Sequence, residues 1–250
     1  MDGFLKALIL AAVLFSHSIG AAQEILIPAG EFKMPAKLNK NSLKVASFYI
    51  DAHPVTNSEY LEFVRKNPQW SKSQVKKLFA DGSYLEYWSG DQSYGDKSLA
   101  SSPVVRVSWF AAREYCAWKG QRLPSTNEWE YVALSPFKNR TEIKDLILEW
   151  YGRGAEWPLR NVKKNSPNNL GVYDLHGLIW EWVEDFNTSL VTGESRADGG
   201  LDKNLFCGAG ASAAADPADY AAFMRFAFRS SLQAKYTVQN LGFRCARDKE

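Results

Sequence analysis

Short apolar runs separated by turn residues, rather than long periodic stretches, set the rhythm of this chain. Ile25-Leu26-Ile27 is an apolar strand stopped by Pro28 and Gly30, and Phe48-Tyr49-Ile50 predicts another. Thr56-Asn57-Ser58-Glu59 has the form of a capping box: the Thr56 hydroxyl accepts from the amide near Glu59, and the Glu59 carboxylate reaches back. Tyr60, Phe63 and Val64 then share one face. Ser108 opens a second predicted helix carrying Phe110, Tyr115, Cys116 and Trp118, closed by Gly120. Ser125-Thr126-Asn127-Glu128 repeats the capping box and puts Trp129 and residues 131–134 on a third helix. After the turn-rich Gly171-Val172-Tyr173-Asp174-Leu175-His176-Gly177, Trp180-Glu181-Trp182-Val183 reads as extended. Asp216-Pro217, with Asp219 behind it, suits a helix start, yet residues 224–229 alternate well enough for a strand, and both readings stand. Residues 68–102, 137–165 and 187–204 carry no clear period, and there is no internal repeat.

Composition narrows the class. At 250 residues with 46% hydrophobic and 23% charged positions, the chain is long enough to bury a substantial core. A net charge of +2 with scattered Lys and Arg speaks against nucleic acid or an anionic membrane as partner. Nine tryptophans suit an irregular fold that fills space between short elements with large rings, and not a plain helical bundle. The first residues read as an export signal: Lys6, an apolar run over 7–15, and Gly20-Ala21-Ala22 before Gln23. The predicted organisation is a signal peptide over 1–22 and a single domain over 23–250. An amino-terminal anchor helix is the alternative, but the apolar run falls short of the ~20 residues that span a bilayer. No later segment is long enough, so the mature chain is expected to be periplasmic with no transmembrane segment.

Export gives the cysteines meaning, because a disulfide persists outside the cytosol. The three, Cys116, Cys207 and Cys245, allow one bridge and leave an odd thiol. Once His17 leaves with the signal, His53 and His176 cannot form a three-histidine metal site.

Several blocks together resemble one family. They are Leu26-Ile27-Pro28-Ala29-Gly30-Glu31-Phe32-Lys33-Met34, Pro54-Val55-Thr56-Asn57-Ser58-Glu59-Tyr60, Pro103-Val104-Val105-Arg106-Val107-Ser108-Trp109 and the most specific, Gln121-Arg122-Leu123-Pro124-Ser125-Thr126-Asn127-Glu128-Trp129-Glu130-Tyr131. Residues 171–182 and Asn240-Leu241-Gly242-Phe243-Arg244-Cys245 complete the set. In this order they resemble the formylglycine-generating (sulfatase-modifying factor) family. The resemblance implies a compact, irregular α+β fold related to C-type lectin-like domains. It also implies a chemistry in which two cysteines, with copper in the aerobic enzymes, oxidise a substrate cysteine to formylglycine; soft thiolates suit Cu(I). Counted back without gaps from Asn240, the positions that match those cysteines hold Asp216 and Ala221. Neither offers a thiolate, so the resemblance implies loss of that activity, and copper is not expected.

The same resemblance implies a Cys116–Cys245 disulfide and the loss of a second family bridge, whose ends are replaced by Ala133 and Phe226. It implies a calcium site with carboxylates from Asp174 and Glu181 and carbonyls from Gly177 and Ile179, a donor set that suits Ca²⁺. The alternative is that Asp174 satisfies turn amides and Glu181 pairs with an arginine. Cys207, the leftover thiol before Gly208-Ala209-Gly210, is the candidate catalytic residue; the alternative is a small buried hydrophobe. Arg225, Arg229 and Arg244 are read as packing and ion-pair residues before anion ligands, His176 as structural, and Asp216 and Asp219 as helix caps. Residues 207–231 resemble a divergent exported branch that includes pyoverdine-maturation, nitrite-reductase-associated and type VI secretion regulatory members. The expected function is oxidative protein maturation: a factor acting on a periplasmic peptide or protein through Cys207. The alternative is a non-catalytic periplasmic binding and regulatory module, as in type VI secretion signalling.

Overall fold

The computed structural model describes residues 23–33, 42–135, 149–150, 152, 156–187 and 217–250, with backbone alone for 217–223. The predicted signal segment, Cys207 and Asp216 lie outside the described residues, as do the side chains of Asp219 and Ala221.

Among the described residues, seven short strands and four α-helices alternate with long loops. β1 (Glu24–Ile27) pairs antiparallel with β4 (Phe48–Asp51), and β4 pairs antiparallel with β7 (Ala246–Asp248), so the two ends of the domain meet on one strand. A second antiparallel pair joins β2 (Gly30–Lys33) to β3 (Ser42–Val45). The expected break at Pro28 holds, but Gly30 opens β2 instead of only ending β1. A Cβ there would run into the Tyr131 hydroxyl, so this position admits only glycine without a shift. β5 (Trp180–Glu181) runs parallel to β6 (Leu241–Gly242). Gly242 is forced in the same way, since a Cβ would collide with the Val104 carbonyl.

The helices start where their caps predict. Thr56 and Ser125 each close a complete capping box, on α1 (Asn57–Lys66) and α3 (Thr126–Ala133). The Ser108 hydroxyl accepts from the Ala111 amide at the head of α2 (Trp109–Trp118), and Gly120 follows at φ 72°. Residues Pro217–Ser230 form the helix α4, which settles the open choice against a strand. Among the described residues no helix is long and apolar enough to cross a membrane.

Aromatic side chains fill the centre. Tyr60, fully buried, lies between Phe63, Trp88, Tyr115 and Phe243, with ring centroids 5.4–6.1 Å away. Their polar atoms find partners: the Tyr60 and Tyr84 hydroxyls meet at 2.6 Å, and Trp182 Nε1 donates to the Val107 carbonyl at 2.9 Å.

Candidate functional site

Cys116 of α2 and Cys245, just before β7, form a disulfide, and neither residue is accessible to solvent. Asp51, at the end of β4, is stitched to the same segment. Its amide donates to the Cys245 carbonyl at 2.9 Å and its Oδ2 accepts from the Cys245 amide at 3.1 Å. Its Oδ1 accepts from Gln121 Nε2 at 3.2 Å. Burial pushes the Asp51 carboxyl up to about 6, against the pull of Lys119 and of these donors.

The expected calcium ligands sit on one turn and the strand after it. Asp174 adopts φ 57°, a left-handed conformation that Asp tolerates, and Gly177 adopts φ 86°. Asp174 Oδ1 accepts from Arg160 Nη1 at 2.9 Å and Oδ2 from the Lys163 amide at 2.6 Å. The second Arg160 nitrogen reaches the Gly177 carbonyl at a longer 3.4 Å. Ile179 packs among Val105, Leu159 and Leu178. Glu181 accepts from Arg244 Nε and Nη2 and from Trp129 Nε1, each at 2.8 Å, and both partners of the ion pair are fully buried. Arg244 also donates to the carbonyls of Asp51 and Tyr173. A calcium ion takes six to eight oxygens at about 2.3–2.6 Å. Here both carboxylates already answer a guanidinium, and one guanidinium lies against two of the four expected ligands. As arranged, these residues do not fit the ion.

A further buried cluster escaped the sequence reading. Glu130 of α3 accepts from Arg225 Nε and Nη2, at 3.0 and 2.6 Å, and from Arg229 Nη1 at 2.8 Å, both arginines coming from α4. The Arg229 guanidinium also lies 4.7 Å from the Trp129 ring centre. Burial alone would raise the Glu130 carboxyl, but the two arginines outweigh it and hold it at about 2. The signal was present: Thr126, Trp129, Glu130 and Ala133 fall at helical spacing on one face, and an acid on a buried face demands a cation. Ala133 and Phe226, which stand where the family resemblance places a second bridge, lie on these same two helices; the ion cluster ties them instead. His176 meets the edge of Trp129 and donates from Nε2 to the Ala133 carbonyl at 3.0 Å. Burial first, then the Arg225 charge, drives its imidazole down to about 3.

One cavity opens at the surface of the described residues, about 240 Å³ in volume and lined by Glu86, Tyr87, Arg106, Trp157 and Gln239. Arg106 and Leu85 both adopt left-handed backbone conformations, at φ 54° and 47°, and are joined by the Leu85 amide donating to the Arg106 carbonyl. Holding two such residues costs about 1–3 kcal/mol each, which the surrounding structure must offset. Arg106 pairs with the more exposed Glu86 at 2.9 Å. Trp157, 44% exposed, stands edge-on to Tyr87. The Tyr87 hydroxyl donates to Asn57 Oδ1, and burial pushes it up to about 12, so it remains protonated. The cavity thus offers a cation, an acid and an aromatic wall side by side.

Residues 13–249 match the family described as the sulfatase-modifying factor enzyme 1-like domain. The chain belongs to this family. Within it, the chain is 29% identical to the inactive C-alpha-formylglycine-generating enzyme 2 of Mus musculus, over 91% of this chain and 87% of that protein. It is 26% identical to the formylglycine-generating enzyme of Streptomyces coelicolor, over 90% and 89% of the two chains. The structure of PvdO from Pseudomonas aeruginosa superposes with a TM-score of 0.54 at 20% identity, covering 90% of this chain and 94% of that one, a likeness of fold alone. The relatives similar to this chain therefore include proteins named as formylglycine-generating enzymes and proteins named as inactive.

Proposed function

We propose that this protein is an exported binding module of the sulfatase-modifying factor family that does not make formylglycine. One observation carries the proposal: of three cysteines in the chain, two are joined as Cys116–Cys245, so at most one thiol remains and a two-thiolate copper site is out of reach. The residues aligned with the family's cysteine pair, Asp216 and Ala221, agree with it. A surface suited to recognition is the cavity of Tyr87, Arg106 and Trp157, and its occupant would be a segment of an exported peptide or protein. A second reading, oxidative maturation of such a partner, is favoured by Cys207 being the cysteine left over.

One variant separates the two. Cys207→Ser in the full chain is expected to keep both partner binding and the cellular phenotype, while Arg106→Ala and Trp157→Ala each weaken binding at least ~10-fold, as loss of an interface anchor does. Loss of phenotype in a folded Cys207→Ser protein would return the oxidative reading. Mass spectrometry of a sulfatase-type cysteine peptide incubated with the protein and copper is expected to show no aldehyde.

A further inference from the structure

The turn that resembles a calcium loop carries its own positive charge. Arg160 lies fourteen residues before Asp174, and its guanidinium spans Asp174 Oδ1 and the Gly177 carbonyl. The Asp174 side chain is fully buried while Arg160 remains 26% exposed, so the charge enters from the rim of the fold. The Lys163 amide takes the remaining carboxylate oxygen, and Lys163 holds the left-handed conformation, at φ 60°, that presents it. The neighbouring acid, Glu181, is neutralised separately by Arg244. A calcium ion placed among these oxygens would meet a guanidinium instead of free lone pairs, and an ion and a guanidinium cannot share one carboxylate at contact distance without mutual repulsion.

We infer that Arg160 is the built-in cation of this turn: its guanidinium takes the place that a calcium ion would hold between Asp174 and the Gly177 carbonyl, and the fold stands without calcium. A fork of donors is suited to this because it can bond a carboxylate and a carbonyl together, which a lysine ammonium at the same depth does less well. Replacing a metal by a side chain also removes the dependence of the fold on free ion concentration.

Thermal unfolding of the full chain tests this in EGTA, in millimolar calcium and in millimolar magnesium. The wild type is expected to melt at one temperature in all three. Arg160→Ala is expected to melt lower in EGTA, on the order of 5 °C for a domain of this size, with Arg160→Lys between. Calcium is expected to recover part of that loss in Arg160→Ala, because the variant vacates Asp174 and the Gly177 carbonyl. A wild-type melting temperature that climbs in calcium but not in magnesium overturns the inference. So does an Arg160→Ala protein that matches the wild type in EGTA, or one that is indifferent to calcium. Should Arg160→Ala not fold, the wild-type comparison still decides.

Discussion

Two buried carboxylates of the domain answer burial in opposite ways. Glu130 is 1% exposed and sits at about 2; Asp51 is fully buried and sits at about 6. Desolvation pushes both upward. The difference is the partner: Glu130 holds two guanidiniums at hydrogen-bond distance, whereas Asp51 has an amide side chain, a backbone amide and only the more distant charge of Lys119. Close opposite charge reverses the sign of burial, while neutral donors only temper it. The Glu130 cluster is thus an ionic rivet between α3 and α4. Asp51 is a polar fixture of the disulfide segment whose charged form burial disfavours.

Removing the charge at Glu130 should have the largest effect. Glu130→Gln would take one shared carboxylate charge away from two nearly buried guanidiniums, a loss on the order of 3–5 kcal/mol in urea unfolding at pH 7. A cost below about 1 kcal/mol would show that the two arginines find water, and the contrast with Asp51 would collapse. The pH dependence has a definite sign. A carboxylate lowered from 4.5 to about 2 contributes stability that is present above pH 4.5 and lost as pH falls toward 2. The destabilising effect of Glu130→Gln should therefore shrink in acid.

Asp51 should behave in the reverse sense. A carboxyl raised from 3.8 to about 6 binds its proton more readily in the folded chain, so the fold weakens as pH rises from 3.8 to about 6, by about 3 kcal/mol in all, and no further above that. Asp51→Asn cannot ionise. The variant is expected to gain on the wild type as pH rises from 4 to 7.5, read as the difference between their unfolding free energies across that range. A difference that stays flat would mean Asp51 is charged throughout, held by Lys119.

What the sequence made legible divides along the same line between local and distant partners. Thr56 with Glu59, and Ser125 with Glu128, are three residues apart, so chemistry and spacing together announce the cap. The family blocks and the Cys116–Cys245 pair were readable because they resemble a known order of motifs. Glu130 with Arg225, and Glu181 with Arg244, are separated by 95 and 63 positions, and nothing local says which arginine meets which acid. The resemblance located Asp174 and Glu181 as a pair of carboxylates; the Arg160 that meets Asp174 belongs to a stretch with no period, so nothing local announced it. α4 was ambiguous because Met224, Phe226 and Phe228 alternate like a strand; its burial against α3 through Arg225 and Arg229, one helical turn apart, decides for the helix.

The smallest of the expected effects concerns a neutral base held beside the ionic rivet. His176 is buried against Trp129, and its imidazole falls from 6.5 to about 3. The unfolded chain therefore takes up a proton below pH 6.5 that the folded chain refuses, and stability drops as pH falls through this window. This acts against Asp51, whose protonation favours the fold over an overlapping range, so the wild-type profile alone would hide both groups. His176→Gln keeps a donor near the position of Nε2 for the Ala133 carbonyl and cannot titrate. Between pH 7 and 5 the variant should lose less stability than the wild type, by about 2 kcal/mol over the interval. If the two profiles run parallel, His176 is protonated in the fold as well; a cation could then share the space with Arg225 and Arg229, and Glu130 would have to be neutralising three charges rather than two.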